Sequence, residues 1–339
     1  MDNRAFSWCM IGTGTLAKQV AEEITASGRH RIASVSSRRF EAAEQFAKKY
    51  GAAAWEDAAD AMARADAVYV VTPHPSHAQY VRQAIEMGKP VLCEKPFTVQ
   101  AAETKELFSL AKEKNVYIVE GMWTWFAPVA LRVKAWVDSG AVGKIERVDT
   151  QMRVNVIHYA PRLTDPMLAG GAILDSGVYP ITYLYRLFGK PVEVRCSGRI
   201  ENGVDLSDTI DLTFANGQTH RIALSIDEKA GEESIRITGE KAEIFVDRFH
   251  YADHAELLAR DGALIERFEG KTTLLNEFDL VAAEIRAGKT ESAYIPPQAT
   301  MDVMEIMDAC RRQIGLVYPF ERESTADPQQ GPRRDAEGK

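Results

Sequence analysis

Short apolar runs alternate with amphipathic stretches of helical period along the first 120 residues of the chain. The predicted strands span residues 7–12, 31–37, 67–72, 89–94 and 116–120. The predicted helices between them span residues 16–27, 41–50, 76–87 and 101–114. Because strands and helices alternate along the chain, the pattern indicates βαβ units on a parallel sheet that carries helices on both faces.

The pattern changes beyond residue 125, where strand-like runs follow one another directly. The predicted strands are 144–157, 192–200, 208–214, 218–226, 233–238 and 241–246, and the predicted helices are 129–139, 172–188, 276–287 and 298–315. Turn signals such as Ala215-Asn216-Gly217 join consecutive strands, which indicates a mainly antiparallel sheet. We therefore predict an α/β chain with a first domain over 1–124 and a second α/β domain, with a large, mostly antiparallel open sheet, over 125–321. Residues 322–339 are charged and have no apolar period, so we predict a disordered tail there.

Composition and charge narrow the class of protein. The chain has 339 residues, 45% of them hydrophobic, which is enough to bury two cores. A formal charge of -8 argues against binding to nucleic acid or to an anionic membrane, so we expect a small-molecule substrate. The four cysteines are far apart and form no metal-binding pattern, and we predict no metal site. Neither a signal-peptide pattern nor a membrane span is evident, so the prediction is a cytoplasmic protein.

A glycine-rich turn follows the first predicted strand and opens the first predicted helix. Its sequence matches the G-x-G-x-x-G/A fingerprint in the context that this motif requires, with the residues Gly12, Thr13, Gly14, Thr15, Leu16 and Ala17. Gly12 permits the tight turn, and Gly14 permits the close approach of a pyrophosphate to the amides of the helix N-terminus. The first domain is therefore predicted to be a Rossmann dinucleotide-binding domain.

The end of the second strand indicates which dinucleotide is bound. An acidic residue about twenty residues beyond the glycines would bind the ribose 2′-hydroxyl of NAD, and none is present. Ser37 and Arg38 stand there instead, and they suit a 2′-phosphate. The sequence therefore favours NADP over NAD, without excluding NAD.

Two further loops end at the same predicted edge of the sheet. Thr72, Pro73, His74 and His77 follow the third long strand, at the carboxyl edge where open α/β sheets bind ligands. We predict that they face the cofactor, although a histidine in such a loop also serves as a capping or packing residue. The next strand ends in Glu94 and Lys95, and the following proline holds the lysine in an extended backbone.

With these loops in order, residues 5 to 320 resemble the Gfo/Idh/MocA oxidoreductase family. The resemblance continues through the segments 120–128 and 170–180. Within the family the chain is most similar to the branch of the dimeric dihydrodiol dehydrogenases and glucose–fructose oxidoreductase. The resemblance implies that Lys95 is the catalytic lysine, often followed by a cis peptide, that Asp175 orients the substrate, and that Tyr179 is the proton donor. It also implies that Glu94 and Lys95 contact the cofactor.

The roles expected for the trio of Lys95, Asp175 and Tyr179 also agree with the chemistry of these residues, independently of the family resemblance. A phenol is a poor acid at neutral pH, and an ammonium beside it stabilises the phenolate, so we expect Lys95 to lower the pKa of Tyr179 toward the working range. The alternatives are that Tyr179 is a core aromatic on a helix face and that Asp175 is a helix cap.

One position departs from the related branch, which commonly has arginine where this chain has Trp125. A charge on the substrate side is therefore expected to be absent, and Trp123 and Trp125 are expected to line the substrate pocket. Aromatic residues at this spacing are equally typical of packing between domains.

These observations predict a reversible NAD(P)-dependent oxidation of a secondary alcohol on a sugar, polyol or cyclic diol. A non-catalytic dinucleotide-dependent sensor on the same fold is the first alternative, since fold does not fix function. A methyltransferase is the second, and it lacks support because no acidic residue follows the second strand. Alternating apolar residues in 210–214 and 222–226 further predict a homodimer, or a dimer of dimers, through a sheet face that the helices leave open.

Overall fold

A parallel sheet of six strands forms the first domain of the chain, of which this computed structural model describes residues 4–325. The strands are β1 (Phe6–Ile11), β2 (His30–Ser36), β3 (Ala53–Ala54), β4 (Ala67–Val70), β5 (Val91–Glu94) and β6 (Ile118–Gly121). The helices are α1 (Thr15–Ser27), α2 (Phe40–Tyr50), α3 (Ala58–Met62), α4 (His77–Glu86) and α5 (Ala101–Lys114). The order β3-β2-β1-β4-β5-β6 is that of a Rossmann sheet, so the predicted fold of this domain is confirmed.

The strands of this sheet are buried on both faces because helices cover both sides. Every residue of β1, β4, β5 and β6 is buried, and for that reason these strands are mostly apolar in the sequence rather than alternating. The short elements β3 and α3 were not predicted. They have two and five residues, too few to show a period.

An eight-stranded sheet forms the second domain. Its strands are β7 (Ile145–Asn155), β8 (Glu193–Glu201), β9 (Val204–Thr213), β10 (Thr219–Ser225), β11 (Asp227–Gly239), β12 (Ala242–Asp247), β13 (His254–Ala259) and β14 (Leu264–Glu269). The helices are α6 (Pro128–Asp138), α7 (Val178–Phe188), α8 (Leu275–Arg286), α9 (Pro297–Ile314) and α10 (Pro319–Thr325). In the order β14-β13-β12-β11-β7-β10-β9-β8, the neighbours β7 and β10 pair in parallel and the other pairs are antiparallel. The predicted mostly antiparallel sheet is therefore confirmed.

Three details of the prediction differ from the structure. The strand β14 was missed because it is rich in charged residues and lies at an exposed edge, and β13 was missed because its sequence, HAELLA, contains residues that are not typical of strands. The helix predicted over 172–188 is divided into a π-helical turn, Ile173–Gly177, and α7. The predicted tail begins inside α10, because Glu321 bonds to Arg311 and to the amide of Tyr318 and so holds the helix in place. Residues 326–339 of that tail lie outside the described residues.

The faces of the large sheet differ in polarity. Ile210, Leu212, Ile222 and Leu224, which alternate along β9 and β10, are all buried within the chain. The opposite face carries polar side chains such as the ion pair of Asp211 and Arg221. The premise of the assembly prediction is therefore wrong: the helices of the chain itself cover the apolar face. The oligomeric state stays a prediction without this support.

The helices that follow the sheet return to the first domain. The ring of Phe278 on α8 packs against Trp8 and Tyr69, with both pairs of ring centroids 4.9 Å apart. Asp308 on α9 accepts a hydrogen bond from the first amide of α5, that of Ala101, at 2.9 Å. One hydrophobic cluster thus extends through both domains, and a second cluster lies within the first domain. Within residues 4–325, no helix is long and apolar enough to cross a bilayer.

A buried histidine makes the stability of the second domain depend on pH. His220 on β10 lies between the rings of Phe188 and Phe214, and it is fully buried. Burial disfavours the charged ring and lowers the pKa of His220 from 6.5 to about 4. Below pH 6.5 the unfolded chain therefore binds a proton that the folded chain does not bind, so folding loses stability as the pH falls.

We expect His220→Leu to remove this loss. Between pH 7.5 and pH 4 the free energy of unfolding of the variant should gain about 3 kcal/mol relative to the unsubstituted protein, from roughly 1.4 kcal/mol per pKa unit. Urea titrations across this pH range measure the difference. If both proteins lose stability in parallel on acidification, His220 is not the cause.

Candidate active site

The turn between β1 and α1 has the shape that a pyrophosphate requires. Gly12 has φ +115°, and a Cβ there would lie 2.6 Å from the carbonyl oxygen of Val71, so only glycine fits. A Cβ on Gly14 would meet no atom within 4 Å, which leaves open space above the turn. The N-terminus of α1 has neither a side-chain cap nor an acidic residue in its first turn. The turn comprises Gly12, Thr13, Gly14, Thr15 and Leu16, and its amides beyond that of Gly12 can therefore bind an anion.

The end of β2 adds hydroxyl and guanidinium groups beside this turn. The carbonyl of Ser36 accepts a hydrogen bond from the amide of Gly12 at 2.9 Å, and Thr13 Oγ1 lies 3.2 Å from Ser37 Oγ. Arg38 is exposed, and it forms no hydrogen bond or ion pair with any other residue of the range 4–325. Hydroxyl and guanidinium groups of this kind suit a phosphate.

The two histidines of the next loop have different positions. His77 is fully buried, with Nε2 2.8 Å from the carbonyl oxygen of Thr72 and Nδ1 3.0 Å from that of Pro96. Its ring therefore connects two loops rather than facing a ligand. Thr72 Oγ1 is buried and has no hydrogen-bond partner among the described residues, so this loop retains a free polar atom. Pro73, beside it, is exposed.

His74 lies at the other end of the same loop and faces the second domain. Its Nδ1 is 3.3 Å from the carbonyl oxygen of Ala169, and its Nε2 is 3.9 Å from Asp175 Oδ1. Burial lowers the pKa of His74 well below its ordinary value, and the nearby Arg162 guanidinium acts in the same direction. The ring is therefore neutral at neutral pH, and it belongs to the group of residues around Asp175.

Glu94 ends β5 as a buried carboxyl. The hydroxyl of Tyr69 donates a hydrogen bond of 2.5 Å to Glu94 Oε1. Burial raises the pKa of Glu94 to about 6. The hydrogen bond from Tyr69 therefore fixes the Glu94 carboxyl, which precedes Lys95 in the chain. The Lys95–Pro96 peptide is cis.

Lys95 and Asp175 meet at the carboxyl edge of the first sheet, each from its own domain. Lys95 Nζ lies 2.8 Å from the carbonyl oxygen of Asp175 and 3.4 Å from its Oδ1. The same ammonium lies 4.6 Å from the ring centroid of Tyr179, over the face of the ring. The structure therefore brings together the three residues for which the sequence analysis expected catalytic roles.

The backbone around Asp175 is shaped by the second sheet. Gly171 has φ +115°, and a Cβ there would lie 2.0 Å from Oδ1 of Asp205 on β9. The same carboxylate accepts a hydrogen bond of 2.6 Å from the amide of Ile173 through its other oxygen. Asp175 sits in the π-helical turn that this anchor begins, a type of turn that is frequent at functional sites.

Both Lys95 and Tyr179 are protonated at neutral pH. Burial opposes the charge of Lys95, but the Asp175 carboxylate outweighs it and raises the pKa of Lys95 above its usual value. Burial also acts to raise the pKa of Asp175, yet Lys95 and Arg162 lower it well below its usual range. The pKa of Tyr179 is raised to about 12, chiefly because burial disfavours the phenolate. The expectation of a phenol with a lowered pKa is therefore wrong: Lys95 acts in the expected direction, but the burial of the ring outweighs it.

Arg162 supplies a cation that the sequence analysis missed. Its Nη2 lies 2.7 Å from Asp175 Oδ1, so the carboxylate binds Arg162 and Lys95 together. The side chain of Arg162 is 41% exposed, so it also reaches solvent at the mouth of the site. Position 125 itself carries no charge, but Arg162 brings a guanidinium to Asp175. No periodic signal marks Arg162, which lies in the short 3₁₀ turn Pro161–Thr164 between β7 and Asp175.

The two tryptophans of the substrate prediction lie in different surroundings. Trp123 Nε1 donates a hydrogen bond of 3.2 Å to the hydroxyl of Tyr179, which places it within the site. The ring of Trp125 instead lies 5.0 Å from the guanidinium of Arg186, and its carbonyl accepts a hydrogen bond from that group. Among residues 4–325, Trp125 makes no hydrogen bond with the Lys95, Asp175 and Tyr179 trio. The structure gives it a packing role.

A turn after β12 was missed as well. It carries His250 and Tyr251, whose ring centroids lie 6.0 Å and 4.8 Å from that of Trp123. The ring of His250 also packs against Tyr179, with centroids 5.0 Å apart. Within residues 4–325, no group of three or more His, Cys, Asp or Glu side chains is arranged to hold a metal ion.

A glycine turn of the dinucleotide-binding type and the Lys95, Asp175 and Tyr179 trio thus lie at the carboxyl edge of the first sheet, an arrangement typical of a dinucleotide-dependent oxidoreductase. The model of the oxidoreductase family with an NAD-binding Rossmann fold matches residues 6–122, and the Gfo/Idh/MocA C-terminal domain matches residues 130–245. The chain belongs to the Gfo/Idh/MocA oxidoreductase family.

Relatives of similar length extend this comparison. The chain is 29% identical to the NADP(+)-dependent D-xylose 1-dehydrogenase of Hypocrea jecorina, over 92% of this chain and 93% of that protein. It is 27% identical to the trans-1,2-dihydrobenzene-1,2-diol dehydrogenase of Mus musculus, over 94% of this chain and 99% of that protein. A 3-ketoreductase from Actinomadura kijaniata, solved with NADP and TDP-benzene, has the same fold with a TM-score of 0.83 at 22% identity, over 92% of this chain and 98% of that one.

The shared carboxylate gives a prediction that needs no substrate. We expect Arg162→Met to raise the pKa of Asp175 and to leave it below the ordinary value, because Lys95 still neutralises the carboxylate. Carboxyl ¹³C NMR titration measures this change. Arg186→Met removes a guanidinium that lies on Trp125 instead, and it should leave the Asp175 titration as it was. An unchanged titration in Arg162→Met would show that the 2.7 Å contact carries no charge interaction.

Proposed function

We propose that the protein is an NADP(H)-dependent dehydrogenase that interconverts a secondary alcohol and a ketone on a sugar, a polyol or a cyclic diol. The observation that carries the proposal is the position of Lys95, which contacts Asp175 and the ring of Tyr179 from the opposite domain. Two relatives support the substrate class, since one is named for D-xylose and the other for a dihydrobenzenediol. When bound, the nicotinamide supplies the hydride acceptor or donor.

The residues of the glycine turn would hold the cofactor, with Ser37 and Arg38 at its 2′-phosphate. Asp175 orients the substrate and keeps Lys95 charged. The protonated phenol of Tyr179 donates a proton to the carbonyl oxygen when a ketone is reduced, and the ammonium of Lys95 stabilises the negative charge that develops there. Trp123 fixes the direction of the phenol through its 3.2 Å hydrogen bond.

The central test separates chemistry from binding. Tyr179→Phe removes only the hydroxyl, so turnover should fall by roughly a hundredfold to ten-thousandfold while cofactor affinity changes little. Lys95→Met keeps the length of the side chain without its charge and should be at least as damaging. Single-turnover kinetics with D-xylose and a cyclic diol panel, together with cofactor fluorescence titrations, measure both properties.

Tyr183→Phe is the matched control. It removes a hydroxyl one turn along α7 that is buried and has no hydrogen-bond partner among the described residues, so it should keep normal turnover. Normal turnover in both Tyr179→Phe and Lys95→Met would refute the mechanism. Tight cofactor binding without hydride transfer to any panel substrate would favour the sensor.

Cofactor choice gives a separate prediction. Arg38→Ala should weaken NADP(H) binding by about tenfold to a hundredfold, as expected for the loss of one charge-assisted hydrogen bond, and should leave NAD(H) binding unchanged. The neighbouring Arg39→Ala serves as the control and should have the smaller effect. Fluorescence titrations with both cofactors decide the matter. Equal weakening for both cofactors would show that Arg38 does not contact a 2′-phosphate.

A further inference from the structure

The turn between β12 and β13 is held next to the active site by hydrogen bonds to one residue, Glu233. Glu233 on β11 accepts two hydrogen bonds from His250 through Oε1, at 2.9 Å from the backbone nitrogen and 2.5 Å from Nδ1. Its carbonyl oxygen accepts a third, of 2.7 Å, from the amide of Arg248. Arg248 has φ +42°, a left-handed conformation that is unfavourable for a residue with a side chain. Glu233 therefore holds the turn in one geometry at some cost in backbone strain.

The same contact determines which nitrogen of His250 carries a proton. A carboxylate oxygen only accepts hydrogen bonds, so Nδ1 is the protonated nitrogen of the neutral ring, and Nε2 is the proton acceptor. When such a ring takes a proton, the carboxylate behind it stabilises the charge. Glu233 and His250 thus form an acid–base pair of the kind in which a carboxylate orients an imidazole.

The imidazole packs directly on the phenol proposed to act on the substrate. The rings of His250 and Tyr179 have centroids 5.0 Å apart at 35°, and Trp123, which bonds to the Tyr179 hydroxyl, contacts both. Tyr179 and His250 are both largely shielded from solvent, whereas Tyr251 is 65% exposed. The ring of His250 packs on Tyr251 with centroids 4.0 Å apart, so it contacts the buried phenol and an exposed residue at the same time.

The proposed function requires a group that can exchange a proton with Tyr179, and the Glu233–His250 pair can serve as that group. With a pKa of about 12, Tyr179 keeps its proton at neutral pH, so it can give a proton to a ketone. It cannot take one from an alcohol unless its own proton leaves at the same time. The ammonium of Lys95 is also fully protonated and cannot accept it.

We propose that His250, held by Glu233, is the residue that exchanges a proton with Tyr179 during turnover. The inference rests on the proposed function and deepens it. In alcohol oxidation the substrate O–H bond breaks and its proton goes to Oη of Tyr179, while the phenol proton goes through one bridging water molecule to Nε2 of His250. The imidazolium then releases the proton to solvent. Ketone reduction runs the same transfers in reverse, so no oxidant beyond the bound cofactor is required.

The charged and titratable groups around the imidazole come from three elements. They are Glu233 on β11, Tyr179 on α7 and Tyr251 in the same turn, with Lys95 on the face of the Tyr179 ring. His250 acts through Tyr179, so it is a positioning and proton-exchanging residue.

The test determines how many protons move during a single turnover of alcohol oxidation. His250→Phe keeps a ring against Tyr179 and Trp123 but has no nitrogen, and it should lower the single-turnover rate of alcohol oxidation by roughly tenfold to a hundredfold. Cofactor affinity should stay the same. In mixtures of H₂O and D₂O, the rate of the unsubstituted protein should vary in a curved manner, as expected for two protons in motion, whereas that of His250→Phe should vary linearly.

Three further measurements complete the design. Added imidazole should restore part of the rate of His250→Ala. Glu233→Gln keeps an acceptor oxygen without its charge and should give an intermediate rate. His254→Phe is the matched control, because His254 is a neighbouring histidine paired with Asp253 outside the site, and it should behave as the unsubstituted protein does.

The outcomes separate this proposal from the proposed function. If Tyr179→Phe is inactive while His250→Phe retains the full rate and a curved isotope dependence, His250 has only a packing role and the inference fails. If His250→Phe is slow but imidazole does not rescue His250→Ala and both isotope dependences are linear, the effect is structural and the inference fails. If the unsubstituted protein oxidises no alcohol of the panel, the proposed function itself fails.

Discussion

The site depends on a buried ion pair between the domains. An ammonium as buried as that of Lys95, with a side chain only 10% exposed, is costly unless a partner replaces its hydration. Asp175 provides a carbonyl oxygen at 2.8 Å and a carboxylate oxygen at 3.4 Å. Because Lys95 ends a strand of the first sheet and Asp175 belongs to the second domain, the same contact that forms the site also fixes the two domains relative to each other. Arg162 and His74 complete the surroundings of that carboxylate.

Asp175 in turn depends on the backbone that precedes it. The carboxylate of Asp205 bonds to the amide of Ile173, and the hydroxyl of Tyr318, just before α10, donates a hydrogen bond of 2.6 Å to the carbonyl oxygen of Gly170. Elements far apart in the chain therefore converge on one turn. This support explains why the C-terminal helices, which contribute no group to the acid–base trio, pack beside the site rather than away from it.

Sequence reasoning succeeded where local geometry determines the outcome. The glycine turn and the position of Lys95 after a buried strand follow from the rule that ligands bind at the carboxyl edge of a parallel sheet. It failed for the pKa of Tyr179, because the burial of that ring depends on Trp123, His250 and the domain contact together. The premise for a dimer through an open sheet face was wrong for a similar reason. Alternating apolar residues show that one face of a sheet is buried, but not which helices cover it.

The residues of the site come from two kinds of structure. Lys95 and Tyr179 lie on or at the end of regular elements, whose hydrophobic periods can be seen in the sequence. Arg162 and His250 come from short turns of the second domain, and no period marks them. Turns of this kind can change without disturbing the core, so the surroundings of the trio can vary while the Lys95–Asp175 contact stays fixed. For this reason Lys95 and Tyr179 can be predicted from the sequence, whereas Arg162 and His250 emerge only from the fold.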